Sequence, residues 1–126
     1  MPIRRGEIYW VEFDPVKGSE QGGIRPALVV QNDVGNDSSP TTVVAALTRT
    51  LPPRRYPFIV VVGRDQSGLP DVSAINCAQL ATIQREGFSS RLRAPRGENE
   101  IRPIGQLNAA SMSQVDAALK YNLALT

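Results

Sequence analysis

A chain of 126 residues, 41% hydrophobic and 21% charged, has the size and composition of one soluble globular domain over 1–126, able to bury about two-thirds of its unfolded surface. A formal net charge of +2 is too small to argue for a nucleic-acid partner by itself, and no apolar run approaches the roughly 20 residues of a membrane span. No apolar signal core follows the opening MPIRRGEIYW, and the single cysteine, Cys77, excludes an internal disulfide, so a cytoplasmic protein without membrane contact is expected.

In chain order, Glu7 to Phe13 (EIYWVEF) reads as the first strand. Ile8 and Trp10 fall on one face and Tyr9, Val11 and Phe13 on the other, so both faces are predicted to be covered. Asp14-Pro15 ends it, and the glycine-rich Val16 to Gly23 (VKGSEQGG) is predicted to be a mobile surface loop. Gly22 to Thr48 organises the chain. Its two β-branched runs, Ala27–Val30 and Val43–Leu47, are predicted strands, with Pro26 at the start of the first. Gln31–Pro40 between them carries the Asn, Asp, Gly and Ser of a turn-rich loop. If the runs pair antiparallel, Arg25 and Thr48 share one rim of the sheet. A guanidinium fork beside a hydroxyl could hold a phosphate; an ordinary surface arginine and strand-end threonine would look the same from these strands alone.

Arg49 to Pro57 (RTLPPRRYP) forms a semi-rigid basic arm in which Arg49, Arg54, Arg55 and Tyr56 suit the edge of a single strand of nucleic acid. A solvated charged loop is the alternative. Phe58–Val62 reads as a buried strand, Gly63–Pro70 as a hairpin-like connection, Val72–Cys77 as the next strand and Gln79–Ile83 as a further short one. Cys77, at an apolar strand end, is expected to be a buried thiol. Residues 85–102 are mixed and exposed, with five arginines against three glutamates. Ser111 is the expected N-cap of a C-terminal helix, with Gln114 reaching back. Val115, Ala118, Leu119 and Leu123 recur on its sheet-facing stripe. About six strands and one terminal helix make a mainly β fold, a small twisted barrel closed by the helix.

The chain has no histidine. That removes Ser-His-Asp and Cys-His nucleophiles, paired-histidine ribonuclease chemistry and most zinc sites. Lys17 and Lys120 sit in no Ser-Lys motif. Gly63 and Gly68 are spaced like P-loop glycines, but Leu69-Pro70 follows where Lys-Ser/Thr is required. No carboxylate cluster indicates a metal, and no cofactor is expected. Twelve of the fourteen basic residues are arginine, which suits phosphates and base edges as well as a codon bias.

RGEIYWVEFDP at 5–15, KGSEQGGIRPALVVQND at 17–33 and the strand ending in Thr48 closely resemble the MazF/PemK/Kid family of toxin endoribonucleases. The blocks occur in family order and spacing over residues 5–62, and the resemblance returns more weakly to the end. It implies an SH3-like barrel and a homodimer that cuts single-stranded RNA at a specific sequence without metal. The substrate's 2′-hydroxyl would attack the adjacent phosphorus, leaving a 2′,3′-cyclic phosphate and a 5′-hydroxyl. Arg25 would bind the phosphate and stabilise its charge, and Thr48 would hydrogen-bond a phosphate oxygen. The proton acceptor stays open: an arginine with a pKa above ~12 is a poor base, and Glu20 is the carboxylate that the resemblance brings near. Gln21, Arg49, Arg54, Arg55, Tyr56, Gln79 and Arg91 are the expected RNA contacts, with the Val16–Gly23 loop gating the groove.

Past Cys77 the resemblance thins. Many relatives have an acidic residue just before the glutamine and a basic one two beyond it, where this chain has Ala78 and Ala81, and its QREGFSSRL stretch is longer than usual. An altered recognition sequence is expected. The resemblance also implies a cognate antitoxin whose acidic, disordered tail competes with RNA. Two other functions fit such a barrel, a non-catalytic gyrase-poison-like toxin of the CcdB kind and a plain RNA-binding module. The IRP block and Thr48 favour the nuclease.

Overall fold

The computed structural model describes residues 2–13 and 23–125. Seven antiparallel strands form one curled half-barrel sheet with a helix at the C-terminal end. The strands are β1 (Glu7–Phe13), β2 (Gly23–Val29), β3 (Thr41–Thr48), β4 (Ile59–Val62), β5 (Ser73–Gln84), β6 (Leu92–Arg93) and β7 (Gly105–Gln106). Their order is β4-β5-β3-β2-β1-β6, and β7 also pairs with β1. Three helices join them: α1 (Asp33–Ser38), α2 (Arg64–Ser67) and α3 (Ala109–Asn122). Among the described residues no helix is long and apolar enough to cross a membrane.

The central strands are apolar on both faces because each face has its own core. One core joins Ile8, Leu28, Leu47 and Ile75 to Val115 and Ala118 of α3; the other joins Tyr9, Val11, Ala27, Val44 and Ile83 to Ile3 and Leu92. Alternation along β1 therefore sends Ile8 to one and Tyr9 and Val11 to the other, as its pattern requires.

Four expectations need correction. Gln31–Pro40 is not a plain loop, because Asn32 caps α1 by accepting the Gly35 N–H at 2.8 Å. Buried Asn36 then accepts from Gln31 Nε2 and from the Thr42 hydroxyl, at 3.1 and 2.7 Å. Turn-forming residue types thus serve as cap and core, a use that composition does not distinguish. Val72–Cys77 and Gln79–Ile83 are one strand, β5, interrupted by a bulge. The α3 cap is Asn108, accepting from the Ser111 N–H at 2.8 Å, so the helix starts before Ser111. Leu123 is exposed at the C-cap and adds nothing to the buried stripe.

The P-loop-like glycines also find their use here. Gly63 and Gly68 cap the two ends of α2, and Gly68 sits at φ +72° where a Cβ would run into the Ile104 carbonyl.

Candidate active site

The site begins with strand register. β2 and β3 pair Val29 with Val44, Leu28 with Ala45 and Ala27 with Ala46. The ladder ends there, and just beyond it Arg25 and Thr48 line the same groove. Arg25 is held from its other side by Val11 of β1, and Thr48 by Ala74 of β5. Both side chains are half-buried. Arg25 donates from Nη2 to the Leu47 carbonyl at 3.4 Å, a long bond. Thr48 Oγ1 accepts the Thr50 N–H at 3.1 Å. With that lone pair used, the hydroxyl proton remains available for an anion.

Two grooves meet at Arg25. One, of about 490 Å³, lies between β1 and β5 and is lined by Glu12, Phe13, Gln79, Gln84 and Arg91 together with Arg25. The other, of about 430 Å³, has apolar walls from Trp10, Pro26 and Pro70, with Thr48, Arg49 and Asp71 beside Arg25. Arg25 therefore stands on the ridge between two concavities, where a phosphate on its guanidinium would have room for a nucleoside on each side.

The bulge in β5 builds the first groove. Ala45 pairs with Leu80 and Leu47 with Ile75, so four residues, Asn76–Gln79, pass the single residue Ala46. Asn76 Oδ1 braces the detour by accepting the Ala78 N–H at 3.0 Å. The detour carries Gln79 into the groove, a common use of a bulge beside a site. Opposite, Glu12 lies between two arginines, 3.7 Å from Arg91 Nη1 and 3.4 Å from Arg93 Nε. Exposed pairs of this kind add little stability, but they orient Arg91 along the groove. Arg93 is more firmly tied, donating from Nη1 to the Ser90 and Leu92 carbonyls at 2.7 and 2.8 Å.

Arg25, Thr48, Arg49, Gln79 and Arg91 are thus brought together. Arg54, Arg55 and Tyr56 are not: they are exposed and line neither groove, and the Tyr56 ring stacks on Phe58 with centroids 5.3 Å apart. The proline-rich arm leaves the groove after Thr50. Glu20, Gln21 and residues 14–22 lie outside the described residues. Trp10, Glu12, Asp71 and Gln84 line the grooves without having been singled out in the sequence. Trp10 could have been found from its pairing with Pro26; no local signal marks the other three.

The remaining chemistry is restricted. Burial pushes the Cys77 thiol up to about 11, which keeps it neutral and unreactive. Burial also raises the Tyr9 hydroxyl, which lies 3.1 Å from Glu7. Among the described residues no group of three His, Cys, Asp or Glu side chains could hold a metal ion. What the arrangement offers is an anion seat with a guanidinium and a hydroxyl, a carboxylate in each adjoining groove, and amide side chains on one wall.

The chain is similar to known proteins over nearly its whole length. The profile of the PemK-like, MazF-like toxins of type II toxin-antitoxin systems matches residues 4–123. Endoribonuclease EndoA of Bacillus subtilis (strain 168) is 37% identical over 125 residues, which are 99% of this chain and 97% of that protein. Among solved structures, the Mycobacterium tuberculosis toxin MazF-mt6 is 22% identical, with 95% of this chain and 98% of that one covered and a TM-score of 0.72. A mycobacterial endoribonuclease in complex with its cognate antitoxin is also 22% identical, covering 98% and 97% of the two chains with a TM-score of 0.72. At such identities the structural matches speak for the fold.

Proposed function

This chain belongs to the PemK-like, MazF-like toxin family of type II toxin-antitoxin systems, and from that premise we propose that it is a sequence-specific endoribonuclease acting on single-stranded RNA without metal. The observation that carries this reading is that Arg25 lines both grooves, with Thr48 beside it in one of them. RNA supplies its own nucleophile, so an enzyme without histidine needs only to hold the phosphate in line, stabilise charge on its oxygens and take a proton. Arg25 spans two equatorial oxygens with its fork, and Thr48 donates to one of them. The 2′-hydroxyl gives up its proton and attacks phosphorus, the bond to the 5′-oxygen breaks and that oxygen takes up a proton from water or from the protonated acceptor, and the products are a 2′,3′-cyclic phosphate and a 5′-hydroxyl.

The proton acceptor is a carboxylate in this reading. Glu20 is the choice suggested by family resemblance, and Asp71 is the described carboxylate in the groove that also holds Arg25 and Thr48. Glu12 is a poorer choice because it lines the groove that does not contain Thr48. Gln79, Arg91 and Arg49 hold the nucleotides on either side of the cut, and Gln21 joins them if the Val16–Gly23 loop closes over RNA.

One rim of this size is narrow for a cut site with its flanking bases. A two-fold dimer that sets two rims along one groove supplies the length, and an acidic antitoxin tail would occupy the same arginines and displace the Val16–Gly23 loop. Support for an antitoxin partner comes from relatives solved with theirs, the mycobacterial endoribonuclease and the MazE-MazF complex of Deinococcus radiodurans. Such a toxin acts in the cytoplasm, where its RNA is.

Incubation of the protein with RNA in excess EDTA tests the reading. Chelator-resistant cleavage is expected. Intact RNA overturns it, and intact RNA with inhibited DNA supercoiling would point instead to a gyrase poison on the same barrel.

A further inference from the structure

The stretch that joins β5 to β6 carries an aromatic ring that neither core uses. Phe88 has a relative exposure of 112%, more than any other large hydrophobic side chain among the described residues. Its loop is nevertheless well fastened. At one stem Arg85 donates its N–H to the Pro40 carbonyl and its Nε to the Ser39 carbonyl, at 2.9 and 2.8 Å. At the other, the Arg91 N–H reaches the Gln84 carbonyl at 2.8 Å and closes the loop on itself. Between them the Ser90 N–H donates to the Gly87 carbonyl at 3.2 Å, with Gly87 at φ +77°, which forms a tight tip around the phenyl ring.

The stems place that tip beside the site. Gln84 and Arg91, which close the loop, both line the groove that contains Arg25. Phe88 is three residues from Arg91, and three residues span at most about 11 Å. A single exposed hydrophobic residue is ordinary by itself. This one lies in a loop whose two ends, Gln84 and Arg91, line the groove, with Arg85 and Arg93 nearby in the chain, and its immediate neighbours are the exposed Glu86, Gly87 and Ser89. A single ring among exposed polar neighbours offers little apolar area for the buried core of a protein interface. It is well suited to a nucleobase, whose flat face stacks on an aromatic ring while its phosphate meets an arginine.

We propose that Phe88 is a stacking platform for a base that flanks the cut site in the same RNA strand, on the side of the groove walled by Gln84 and Arg91. This rests on the reading of the groove as an RNA site. The long QREGFSSRL segment then serves to extend the footprint beyond the cut without touching the reacting phosphate. Because any base has a face to stack, Phe88 adds affinity with little sequence preference.

The test is binding of oligoribonucleotides centred on the mapped cut site and made uncleavable by one 2′-deoxy nucleotide there. A long form and forms shortened from each end are titrated against the wild type, Phe88→Ala and Phe88→Trp. Phe88→Ala should weaken the long form about five- to 150-fold, and Phe88→Trp should restore it. Shortening from one end only should abolish the difference between wild type and Phe88→Ala. Equal affinity of wild type and Phe88→Ala for the long form overturns the proposal, and so does an equal loss on every form. A change in oligomeric state with Phe88→Ala would show that a second copy covers the ring, which also overturns it. Failure of the wild type to bind any RNA would instead defeat the reading of the groove, and the stacking role with it.

Discussion

The two walls that meet at Arg25 are built by different physics. The β2/β3 wall is a regular antiparallel ladder from Val29–Val44 to Ala27–Ala46, and Arg25 and Thr48 follow directly where it ends. A slip of one residue would turn both core faces inside out, so burial on both sides pins the register. The β5/β6 wall owes its shape to a four-residue detour opposite Ala46 and to a stapled loop, neither of which the cores dictate. On the proposed function, the part that holds the reacting phosphate is thus tied to the cores and the part that would read the substrate is free to vary, which puts chemistry and recognition on separate structural footings.

Substitutions should break that separation in order of effect. The largest concerns the proton acceptor. Either Glu20→Gln or Asp71→Asn should slow single-turnover cleavage by about 10²–10⁴ and flatten the acid limb of its pH profile. The other should be close to wild type. Near-normal rates and profiles in both would remove carboxylate catalysis. Next comes the ladder wall: Arg25→Ala should cost about 10²–10³ in rate while the protein still folds and melts cooperatively. Thr48→Val should act in the same direction, less strongly. Arg25→Lys should fail to restore activity because an ammonium cannot span two oxygens.

The variable wall should respond differently. Gln79→Ala and Arg91→Ala are expected to raise KM or shift the preferred cut sequence by about tenfold, an amount usual for one base contact, with kcat little altered. A fall in kcat equal to that of Arg25→Ala would mean that the walls do not divide the work. The smallest effect is expected at Cys77, inside the β5 detour. Burial raises its thiol to about 11, so below that pH it stays protonated. Alkylation at pH 8 should therefore be slow in the native protein and fast in denaturant. Rapid native labelling would show that the detour opens.

The same division governs how much the sequence reveals. Alternating and continuous apolar runs announce β1, β2, β3 and β4, because a strand between two cores must be apolar on both faces. From those strands alone the meeting of Arg25 and Thr48 could be anticipated. The β5 detour was legible only as a gap between two short strands, since nothing in Asn76–Gln79 says whether the chain turns or bulges. Asn32 and Asn108 show a related ambiguity: the same side chain closes a turn or caps a helix, and only the neighbouring hydrogen bonds decide. Asp71 and Gln84 enter the grooves through tertiary placement, which no local pattern encodes. The arm at Arg54–Tyr56 is the converse, a stretch with the composition of a nucleic-acid edge that the fold directs away from both grooves.

The central claim is that the substrate provides the nucleophile while Arg25 and Thr48 hold its phosphate. Replacing the single nucleotide 5′ to the cut with its 2′-deoxy form tests this most directly, because it removes one oxygen and leaves the groove's other contacts in place. The account predicts that wild-type protein binds this substrate and leaves it intact, while the all-ribose control yields a 2′,3′-cyclic phosphate. Cleavage of the deoxy substrate at the control rate would contradict it.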